Sequence, residues 1–412
     1  MNLPLSELPE RCDVLVVGAG PAGSAAANVL AQAGLGVVLI DQRSFPRDKV
    51  CGDGLIPEAH AALARLGLLD EVMLRAQAAG HVACIGPRGG RVDVPGRLAV
   101  LPRRELDEIV CRGAVRAGAR MHAPVQFEVP LLDAAGRVCG ARVLHAQESR
   151  EIRADWVVLA SGAVPQALKA AGVCERQTPS GVALRAYVKN DAMVGRITEL
   201  EVVWHRKLRP GYGWIFPCRD GVFNIGVGVV DSHSQRTNGR ASMLDVNLRQ
   251  VFASFCEFYA PARELMAAGV MQGDLKGAPL RFSLEGARYS RAGLLVAGEA
   301  AGSTYSFTGE GIGKALETGM LAAHAILKGK AQSQGDAAVR QHYEAELLKL
   351  KPRFDLYERG NRVNAHPWLI DLLIWRARKS ERLRRRMSGV LNETGNPGQL
   401  LTVKGFTRLF TE

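Results

Sequence analysis

The stretch that decides the fold is "CDVLVVGAGPAGSAAANVLAQAGLGVVLIDQ", residues 12–42. Its pattern predicts a β-strand over about 12–17, a tight glycine turn, a helix over about 21–33 and a second strand over about 36–40. This order makes a complete βαβ unit, the element from which parallel α/β sheets are built. We therefore expect the chain to begin with a nucleotide-binding α/β sheet.

The glycine spacing indicates what the turn holds. Gly18 permits the turn, Gly20 lets a pyrophosphate approach the backbone, and Gly23 lets the helix pack closely on the strand. The phosphates would face the helix N-terminus, where Ala22 lies. Asp41 ends the second strand, where a carboxylate can accept both ribose hydroxyls. The fingerprint does not separate FAD from NAD, because both contain the same ADP half.

Composition places limits on the class of protein. A chain of 412 residues, 47% of them hydrophobic, predicts two or three domains with a large interior. The opening "MNLPLSELPERCDVLVV" lacks the features of an export signal, and no apolar stretch is long enough to span a membrane. The eight cysteines include no CxxC pair, so we expect neither a metal site nor a disulfide framework. A cytoplasmic protein is the expectation.

A second glycine-rich segment favours FAD. Residues 293–327, "GLLVAGEAAGSTYSFTGEGIGKALETGMLAAHAIL", predict a buried strand, a loop and a long helix starting near Gly311. The segment resembles the second flavin motif of the glutathione-reductase-like FAD proteins, which usually has Asp where this chain has Glu299. The resemblance implies that Glu299 holds ribityl or ribose hydroxyls and that the following glycines lie against the isoalloxazine. The residues assigned to FAD by this motif are Gly298, Glu299, Gly309, Gly311 and Ile312.

Two weaker matches support the same cofactor. The stretch "LPRRELDEIVCRGAVRAGA" (101–119) resembles the family's arginine-initiated helix, in which Arg103 reaches the flavin nucleotide; the alternative is an ordinary surface arginine. The stretch "RADWVVLASGAVPQAL" (153–168) predicts a buried strand ending in Ser161-Gly162, where such folds return to the FAD. A plain core strand and turn would look similar.

Between about 176 and 279 the pattern changes to short β-branched and aromatic runs separated by Gly, Asp and Pro, which predict an antiparallel sheet. The fold class is therefore α/β, or α+β overall: a Rossmann-type FAD-binding domain, discontinuous in sequence, with an antiparallel substrate-binding sheet and a helical C-terminal region. The predicted boundaries are 1–80, 101–175 and 280–330 for the FAD-binding domain, 81–100 and 176–279 for the substrate domain, and 331–412 for the C-terminal helices.

Within the predicted sheet, "PGYGWIFP" (210–217) has Tyr212 and Trp214 at alternate positions. Both side chains should project from one face of the strand. They either wall an apolar tunnel or belong to the core.

Three segments together identify a family. The segments "KVCGDGL" (49–55) and "YGWIFP" (212–217) and the tail "NETGNPGQLLTVKGFTRLF" resemble the geranylgeranyl reductase family over nearly the whole chain. That resemblance implies an FAD enzyme that saturates carbon–carbon double bonds of prenyl chains in lipids, quinone precursors or chlorophyll-type molecules. The family's first motif usually reads Lys-x-Cys-Gly-Gly-Gly, so Asp53 replaces a glycine. Its second often ends in Lys, where this chain has Cys218.

The chemistry of such a reaction selects candidate residues. An isolated alkene is a poor hydride acceptor, so hydride delivery to one carbon requires a proton at the other. Cys51, on a loop that Gly52 allows close to the flavin, and Tyr212 are the candidate donors, while Trp214 shapes the apolar wall. Lys49 either holds a substrate phosphate or lowers the pKa of the thiol. The alternative for Cys51 is an inert loop thiol.

Other activities stay open at this point. A flavin monooxygenase or halogenase acting on an aromatic substrate has the same fold, and "GYGWIFP" matches the halogenase Trp-x-Trp-x-Ile-Pro signature only in part. A flavin-carrying binding protein without turnover is a second alternative. No second dinucleotide fingerprint follows the first, so NADPH or a reduced electron carrier would donate electrons transiently.

The charge distribution bears on partners. The formal net charge is +12, and residues 351–412 contain 13 Lys and Arg against 6 Asp and Glu, or +7. The densest part, "WRARKSERLRRRM" (375–387), follows the apolar "HPWLIDLLIW" (366–375). This pairing is typical of a helix on an anionic membrane face, and equally of a solvated surface helix. Nucleic acid is not expected as a partner, because no nucleic-acid-binding signature accompanies the charge. The sequence indicates no oligomeric state.

Overall fold

The computed structural model describes residues 1–230 and 246–392, which form two sheets flanked by helices. The first sheet has eight strands. They are β1 (Arg11–Val17), β2 (Val37–Ile40), β6 (Arg120–His122), β7 (Gln126–Leu132), β8 (Val138–His145), β9 (Glu148–Leu159), β16 (Ser290–Arg291) and β17 (Leu294–Val296). Strands β17, β9, β1, β2 and β6 lie side by side and pair in parallel. The α/β class is confirmed.

The predicted βαβ unit is confirmed to within a residue or so at each boundary. Helix α1 (Pro21–Gln32) joins β1 to β2, with Gly20 as its N-cap and Pro21 at its first position. Proline is favoured there, because the first helical N–H has no partner within the helix.

Both faces of the parallel sheet are covered. On β1, Val14 and Val16 belong to one buried cluster, while Leu15 and Val17 belong to another. A strand buried on both sides reads as a continuous apolar run, which is the pattern of this segment.

The second sheet has nine strands. They are β3 (Gly54–Leu55), β4 (Gln77–Ile85), β5 (Arg91–Val100), β10 (Gly181–Lys189), β11 (Leu200–Val203), β12 (Gly211–Pro217), β13 (Val222–Val230), β14 (Val270–Met271) and β15 (Lys276–Leu280). Among the described strands, every pairing in this sheet is antiparallel except that of β11 with β4. The predicted antiparallel order is wrong at that one pair. The sheet also contains β3 and the start of β4, which the predicted boundaries assigned to the FAD-binding domain.

Within the described part of 176–279, two α-helices interrupt the region that was predicted to form a sheet. They are α6 (Leu248–Phe258) and α7 (Ala260–Ala268). On α6, Phe252 and Phe255 are buried at helical spacing. Phe255 packs against β12, where a methyl group placed on Gly213 would lie 2.8 Å from its ring. The alternation of buried and exposed residues that is typical of strands does not extend to the segment that forms α6 and α7.

The remaining helices cover the first sheet and one end of the second. They are α2 (Pro57–Arg65), α3 (Leu69–Arg75), α4 (Arg103–Arg116), α5 (Gln166–Ala170), α8 (Ile312–Ala331), α9 (Asp336–Leu348), α10 (Lys351–Gly360), α11 (Arg362–Ala365), α12 (Trp368–Ala377) and α13 (Glu381–Leu391). Helix α8 packs on α1 so closely that a methyl group placed on Gly319 would lie 2.0 Å from the carbonyl oxygen of Ala22.

The C-terminal helices rest on the second sheet. Ile374 of α12 packs beside Gly90, and α13 packs along β5. The helical character predicted for 331–412 is present as far as residue 392, and the rest of the "NETGNPGQLLTVKGFTRLF" motif lies outside the described residues. Within the described ranges, no helix is long and apolar enough to cross a membrane.

Candidate active site

Three predicted cofactor segments meet at one edge of the first sheet. Strands β1, β9 and β17 are parallel, so their carboxyl ends share an edge, which is where α/β sheets bind ligands. A methyl group placed on Gly18 would lie 2.4 Å from the carbonyl oxygen of Ala160, at the end of β9. One placed on Gly298 would lie 2.6 Å from Cβ of Ala22. The segments converge as predicted.

The glycine turn leaves room for a ligand. Gly18 has a φ of 98°, and a methyl group on Gly23 would lie 1.8 Å from the carbonyl oxygen of Gly18. A methyl group on Gly20, by contrast, would meet only Nη2 of Arg47, at 3.6 Å. The buried hydroxyl of Ser161 has no hydrogen-bond partner within residues 1–230 and 246–392. An open backbone cradle and an unpaired donor fit the phosphates of FAD.

A chain of charged side chains runs from this turn to α4. Asp41 accepts a hydrogen bond from the backbone N–H of Ala19 at 3.0 Å and pairs with Arg47 at 3.3 Å. Arg47 also pairs with Asp107 at 3.0 Å, and Asp107 pairs with Arg103 at 2.6 Å. Sequence analysis missed Arg47, although it precedes the Lys-x-Cys-Gly motif in the same loop. Its guanidinium next to the turn is suited to a pyrophosphate.

The second flavin motif contacts the loop that contains the Lys-x-Cys-Gly motif. The carboxylate of Glu299 lies 3.5 Å from Nζ of Lys49. Gly309 has a φ of 69°, which glycine adopts readily, and Gly311 is the N-cap of α8, whose first residue is Ile312. The predicted helix start is confirmed, and its positive end lies at this site.

Tyr212 links the second sheet to this motif. Its hydroxyl donates a hydrogen bond to the carbonyl oxygen of Thr308 at 2.5 Å, and a methyl group on Gly309 would lie 2.5 Å from the hydroxyl oxygen of Tyr212. Burial, then the negative charges of Cys51 and Glu310, raise the pKa of Tyr212. The hydroxyl therefore keeps its proton at neutral pH.

Aromatic side chains continue from Tyr212 in both directions. Its ring centroid lies 6.3 Å from that of Trp214, and Trp214 lies 6.4 Å from Phe216, which confirms that these alternate residues share a face. On the other side Tyr212 lies 5.8 Å from Trp204, which lies 6.5 Å from Phe307. These five rings form a continuous row, named here the aromatic row.

The Cys51 loop rests on this row. The side chain of Asn224 on β13 donates a hydrogen bond to the carbonyl oxygen of Cys51 at 2.8 Å and accepts one from Nε1 of Trp214 at 2.9 Å. A methyl group on Gly52 would lie 3.2 Å from the ring of Phe216. Two motifs far apart in the sequence are therefore neighbours. Asn224 was missed, because one Asn in an apolar strand gives no local signal.

The Cys51 thiol lies in an environment that keeps it protonated. Burial, then the negative charge of Asp53, raise the pKa of Cys51, against the attraction of Arg103 and Lys49. Lys49 is itself paired with Glu299. Lys49 acts in the predicted direction and lowers the pKa of the thiol, but burial and Asp53 outweigh it. A role of Lys49 toward a substrate phosphate stays a prediction.

Asp53 is a buried carboxyl group next to that thiol. It has a φ of 65° and is fully buried. Its Oδ2 accepts hydrogen bonds from Nδ2 of Asn224, at 2.7 Å, and from the hydroxyl of Tyr187. Burial raises the pKa of Asp53 to about 6, although Arg185, Tyr187, Asn224 and Arg103 act in the opposite direction.

Comparison with known proteins decides the family. Residues 11–346 match a family model described as an FAD binding domain. The chain is 33% identical to the menaquinone reductase of Mycolicibacterium smegmatis, over 84% of this chain and 86% of that protein. It is 30% identical to the digeranylgeranylglycerophospholipid reductase of Methanothrix thermoacetophila, over 80% of each chain. The chain belongs to the geranylgeranyl reductase family of FAD-dependent oxidoreductases.

The fold of this geranylgeranyl reductase family member extends to other flavoproteins. A geranylgeranyl bacteriochlorophyll reductase-like structure from Thermoplasma acidophilum superposes with a TM-score of 0.72 at 21% identity, over 98% of this chain and 96% of that one. A flavin-dependent brominase superposes with a TM-score of 0.70 at 20% identity, over 97% of each chain. At such identities the fold is shared, and the activity does not follow from it.

The cofactor of this reductase family member is FAD. The assignment of particular residues to it stays a prediction: Gly18, Gly20, Ala22, Gly23, Asp41, Arg103, Gly298, Glu299, Gly309, Gly311 and Ile312. Arg103 is buried and not on the surface, and its guanidinium lies between Asp107 and Cys51. Within the described ranges, no group of three or more His, Cys, Asp or Glu side chains is arranged to hold a metal ion.

Gly20→Val tests the phosphate cradle. The new side chain has space in the protein itself, so the variant should fold, but it would occupy the place of the pyrophosphate. We expect FAD affinity to fall at least about tenfold, which corresponds to about 1.4 kcal/mol. The measurement is the ratio of flavin to protein absorbance after gel filtration.

The matched control is Gly335→Val. Gly335 has a φ of −71°, close to the −73° of Gly20, and its added Cβ would meet nothing within 4 Å. The control should retain FAD. A Gly20→Val protein that holds as much FAD as the control would overturn the assignment of this turn.

Asp53→Asn should change how stability depends on pH. The folded pKa of Asp53 is about 6, against an ordinary 3.8, so the folded state binds this proton more tightly than the unfolded chain. Stability from this group is therefore lost as the pH rises from about 4 to about 6, by roughly 3 kcal/mol. Across this pH interval, the melting temperature of the wild type should therefore fall relative to that of Asp53→Asn. An identical pH dependence in both proteins would contradict the burial of this carboxyl group.

Proposed function

We propose that the protein is an FAD-dependent reductase that saturates carbon–carbon double bonds of a prenyl or related hydrophobic substrate. The observation that carries this proposal is the contact of the Cys51 loop with the Tyr212–Trp214 strand through Asn224. It joins both motifs of the family at one point, beside the loop predicted to meet the isoalloxazine. The printed names of the relatives, a menaquinone reductase and digeranylgeranylglycerophospholipid reductases, support the substrate class.

The residues at this point suit alkene reduction. When bound, reduced FAD would supply a hydride to one alkene carbon. The other carbon must then receive a proton, and Cys51 and Tyr212 both have raised pKa values, so each group holds a proton at neutral pH. Cys51 is the first candidate donor and Tyr212 the second, and either regains its proton from solvent. The aromatic row, which includes Trp214, provides the apolar surface against which a prenyl chain packs.

The electron donor belongs to the same proposal. The chain has one glycine fingerprint of the Gly18–Gly23 type, and we assign it to FAD. NADPH or a reduced electron carrier then reduces the flavin in a transient encounter. Menaquinone and digeranylgeranylglycerophospholipid are the substrates to assay first.

Cys51→Ala tests the chemistry. Under anaerobic conditions a geranylgeranyl lipid should reoxidise the chemically reduced wild-type protein, and the product should gain two hydrogens for each bond saturated. The variant should keep its FAD and reoxidise about a hundredfold more slowly, the effect typical of losing a general acid. Flavin absorbance gives the rate, and mass spectrometry gives the product.

Cys139→Ala is the matched control, because Cys139 is also a half-buried free thiol but lies on β8 of the first sheet. It should behave as wild type. Equal rates for the Cys51 variant and this control would make Tyr212 the proton donor. A reaction that needs oxygen and adds oxygen or halogen to the product would favour a monooxygenase or halogenase, and no reoxidation by any substrate would favour a flavin-carrying binding protein.

We also propose that the C-terminal helices rest on an anionic membrane surface. Trp368 and Trp375, 58% and 49% exposed, lie seven residues apart on α12 and therefore near one face of the helix. Nζ of Lys379 lies 5.3 Å from the Trp375 ring, and α13 presents further arginines. Exposed tryptophans beside basic side chains fit the interface of a bilayer, where an apolar substrate would be taken up.

Reversing Arg384, Arg385 and Arg386 to Glu tests this surface. Binding to vesicles that contain anionic lipid should weaken by roughly a hundredfold, at about 1 kcal/mol for each basic residue, and should also fade with salt. The measurement is co-sedimentation with vesicles, with flavin content as a check on folding. The control reverses three exposed arginines elsewhere, Arg112, Arg116 and Arg196. Equal sedimentation of the two variants would favour the alternative, that α13 is an ordinary solvated surface helix.

A further inference from the structure

We propose that Asp53 is a positioning residue of the reaction site, which fastens the Cys51 loop to the second sheet and places a negative charge near the Cys51 thiol. The inference rests on the proposed role of Cys51 as proton donor. It concerns a position where the family motif usually has glycine, so it assigns a role to a residue that the motif itself does not include.

The first support is the set of contacts that Asp53 makes. Its carboxylate joins the side chains of Tyr187 and Asn224, which are directly paired neighbours on β10 and β13. Its backbone N–H donates a hydrogen bond to Sγ of Cys51 at 3.3 Å. Asn224 also binds the carbonyl oxygen of Cys51. The thiol of Cys51 is therefore held by the backbone of Asp53, and its carbonyl oxygen is held by a side chain that also binds the Asp53 carboxylate.

The start of the loop is held from the same strand. Arg185, two residues before Tyr187 on β10, donates to Oδ1 of Asp48 at 2.7 Å and to the carbonyl oxygen of Lys49 at 3.1 Å. Its guanidinium lies 4.0 Å from the centre of the Tyr187 ring. Arg185 and Tyr187 thus hold residues 48–53 at both ends, and Asp53 connects that anchor to the thiol.

Asp53 occupies its position at two costs. A φ of 65° is unfavourable for a residue with a side chain, and glycine would adopt it freely. The carboxyl group is also removed from water, which disfavours its charged form. Strained and buried polar residues cluster at functional sites, where the surrounding structure holds them in place.

The second support is electrostatic. In the pH range where a thiol ionises, Asp53 has already lost its proton, because its pKa is about 6. Its negative charge then opposes the formation of a thiolate at Cys51. Positive charge from the flanking elements and the hydrogen bond from the backbone N–H of Asp53 act in the other direction, and burial together with the carboxylate outweighs them. The titratable groups around the pair are Lys49, Arg103, Arg185, Tyr187, Tyr212 and Cys218.

Two variants separate the fastening from the electrostatic effect. Asp53→Asn keeps an oxygen that can accept from Tyr187 and Asn224 but removes the charge. Asp53→Gly removes both the charge and the contacts, and it accepts the local φ without strain. The experiment measures the rate at which iodoacetamide alkylates Cys51 in FAD-loaded protein, by peptide mass spectrometry, from about pH 7 to about pH 10. The peptide that contains Cys139 is the internal control.

We expect Asp53→Asn to alkylate about tenfold faster at about pH 8, with an unchanged limiting rate at high pH, because loss of a neighbouring negative charge favours the thiolate. Asp53→Gly should show the same gain at about pH 8 and, in addition, a higher limiting rate, because its loop is no longer held. A wild-type pH profile in Asp53→Asn, a change confined to its limiting rate, or equally slow reaction in all three proteins would overturn the proposal. The readout needs no substrate, so a failure of lipid reduction would contradict the proposed function without changing this result.

Discussion

The arrangement of the site depends on the buried side-chain amide of Asn224. Its NH2 group donates hydrogen bonds to the carbonyl oxygen of Cys51 and to the carboxylate of Asp53, and its oxygen accepts one from the indole N–H of Trp214. Among residues of this size only Asn offers both donors and an acceptor. A substitution would leave several buried groups unpaired, each at a cost of about 1–3 kcal/mol. One amide therefore fixes the Cys51 loop and the Trp214 ring relative to each other.

The arrangement also requires small residues next to the aromatic rings. Gly226 stands opposite Trp214 on β13, and a methyl group there would lie 2.2 Å from the indole ring. Tyr212 reaches the loop of the flavin motif where Gly309 presents no side chain. The aromatic row can pack on the second sheet and still contact the loop of the second flavin motif, because glycines leave space for the rings of Trp214 and Tyr212.

The sequence predicts local structure, but it predicts few of the contacts between segments that lie far apart in the chain. The βαβ unit and the start of α8 were predicted within a residue or so, because strand, turn and helix signals lie within about thirty residues of each other. The parallel pairing of β11 with β4 has no such signal, since it depends on which distant strands meet. The meeting of Cys51 with Trp214 was suggested only by family resemblance. Tyr187 and Asn224 were not singled out, because tyrosine is common in strands and one isolated Asn belongs to no motif.

The state of the thiol distinguishes the kinds of chemistry that a buried cysteine can support. A nucleophilic cysteine requires a lowered pKa, which enzymes obtain from an adjacent cation or a helix N-terminus. Here both nearby cations also pair with carboxylates, Lys49 with Glu299 and Arg103 with Asp107, and their attraction for a thiolate does not prevail. Burial and the charge of Asp53 then decide the direction of the shift. A thiol held in this way is a poor nucleophile at neutral pH, yet it retains a proton that it can donate. The surroundings of Cys51 therefore favour an acid over a covalent catalyst.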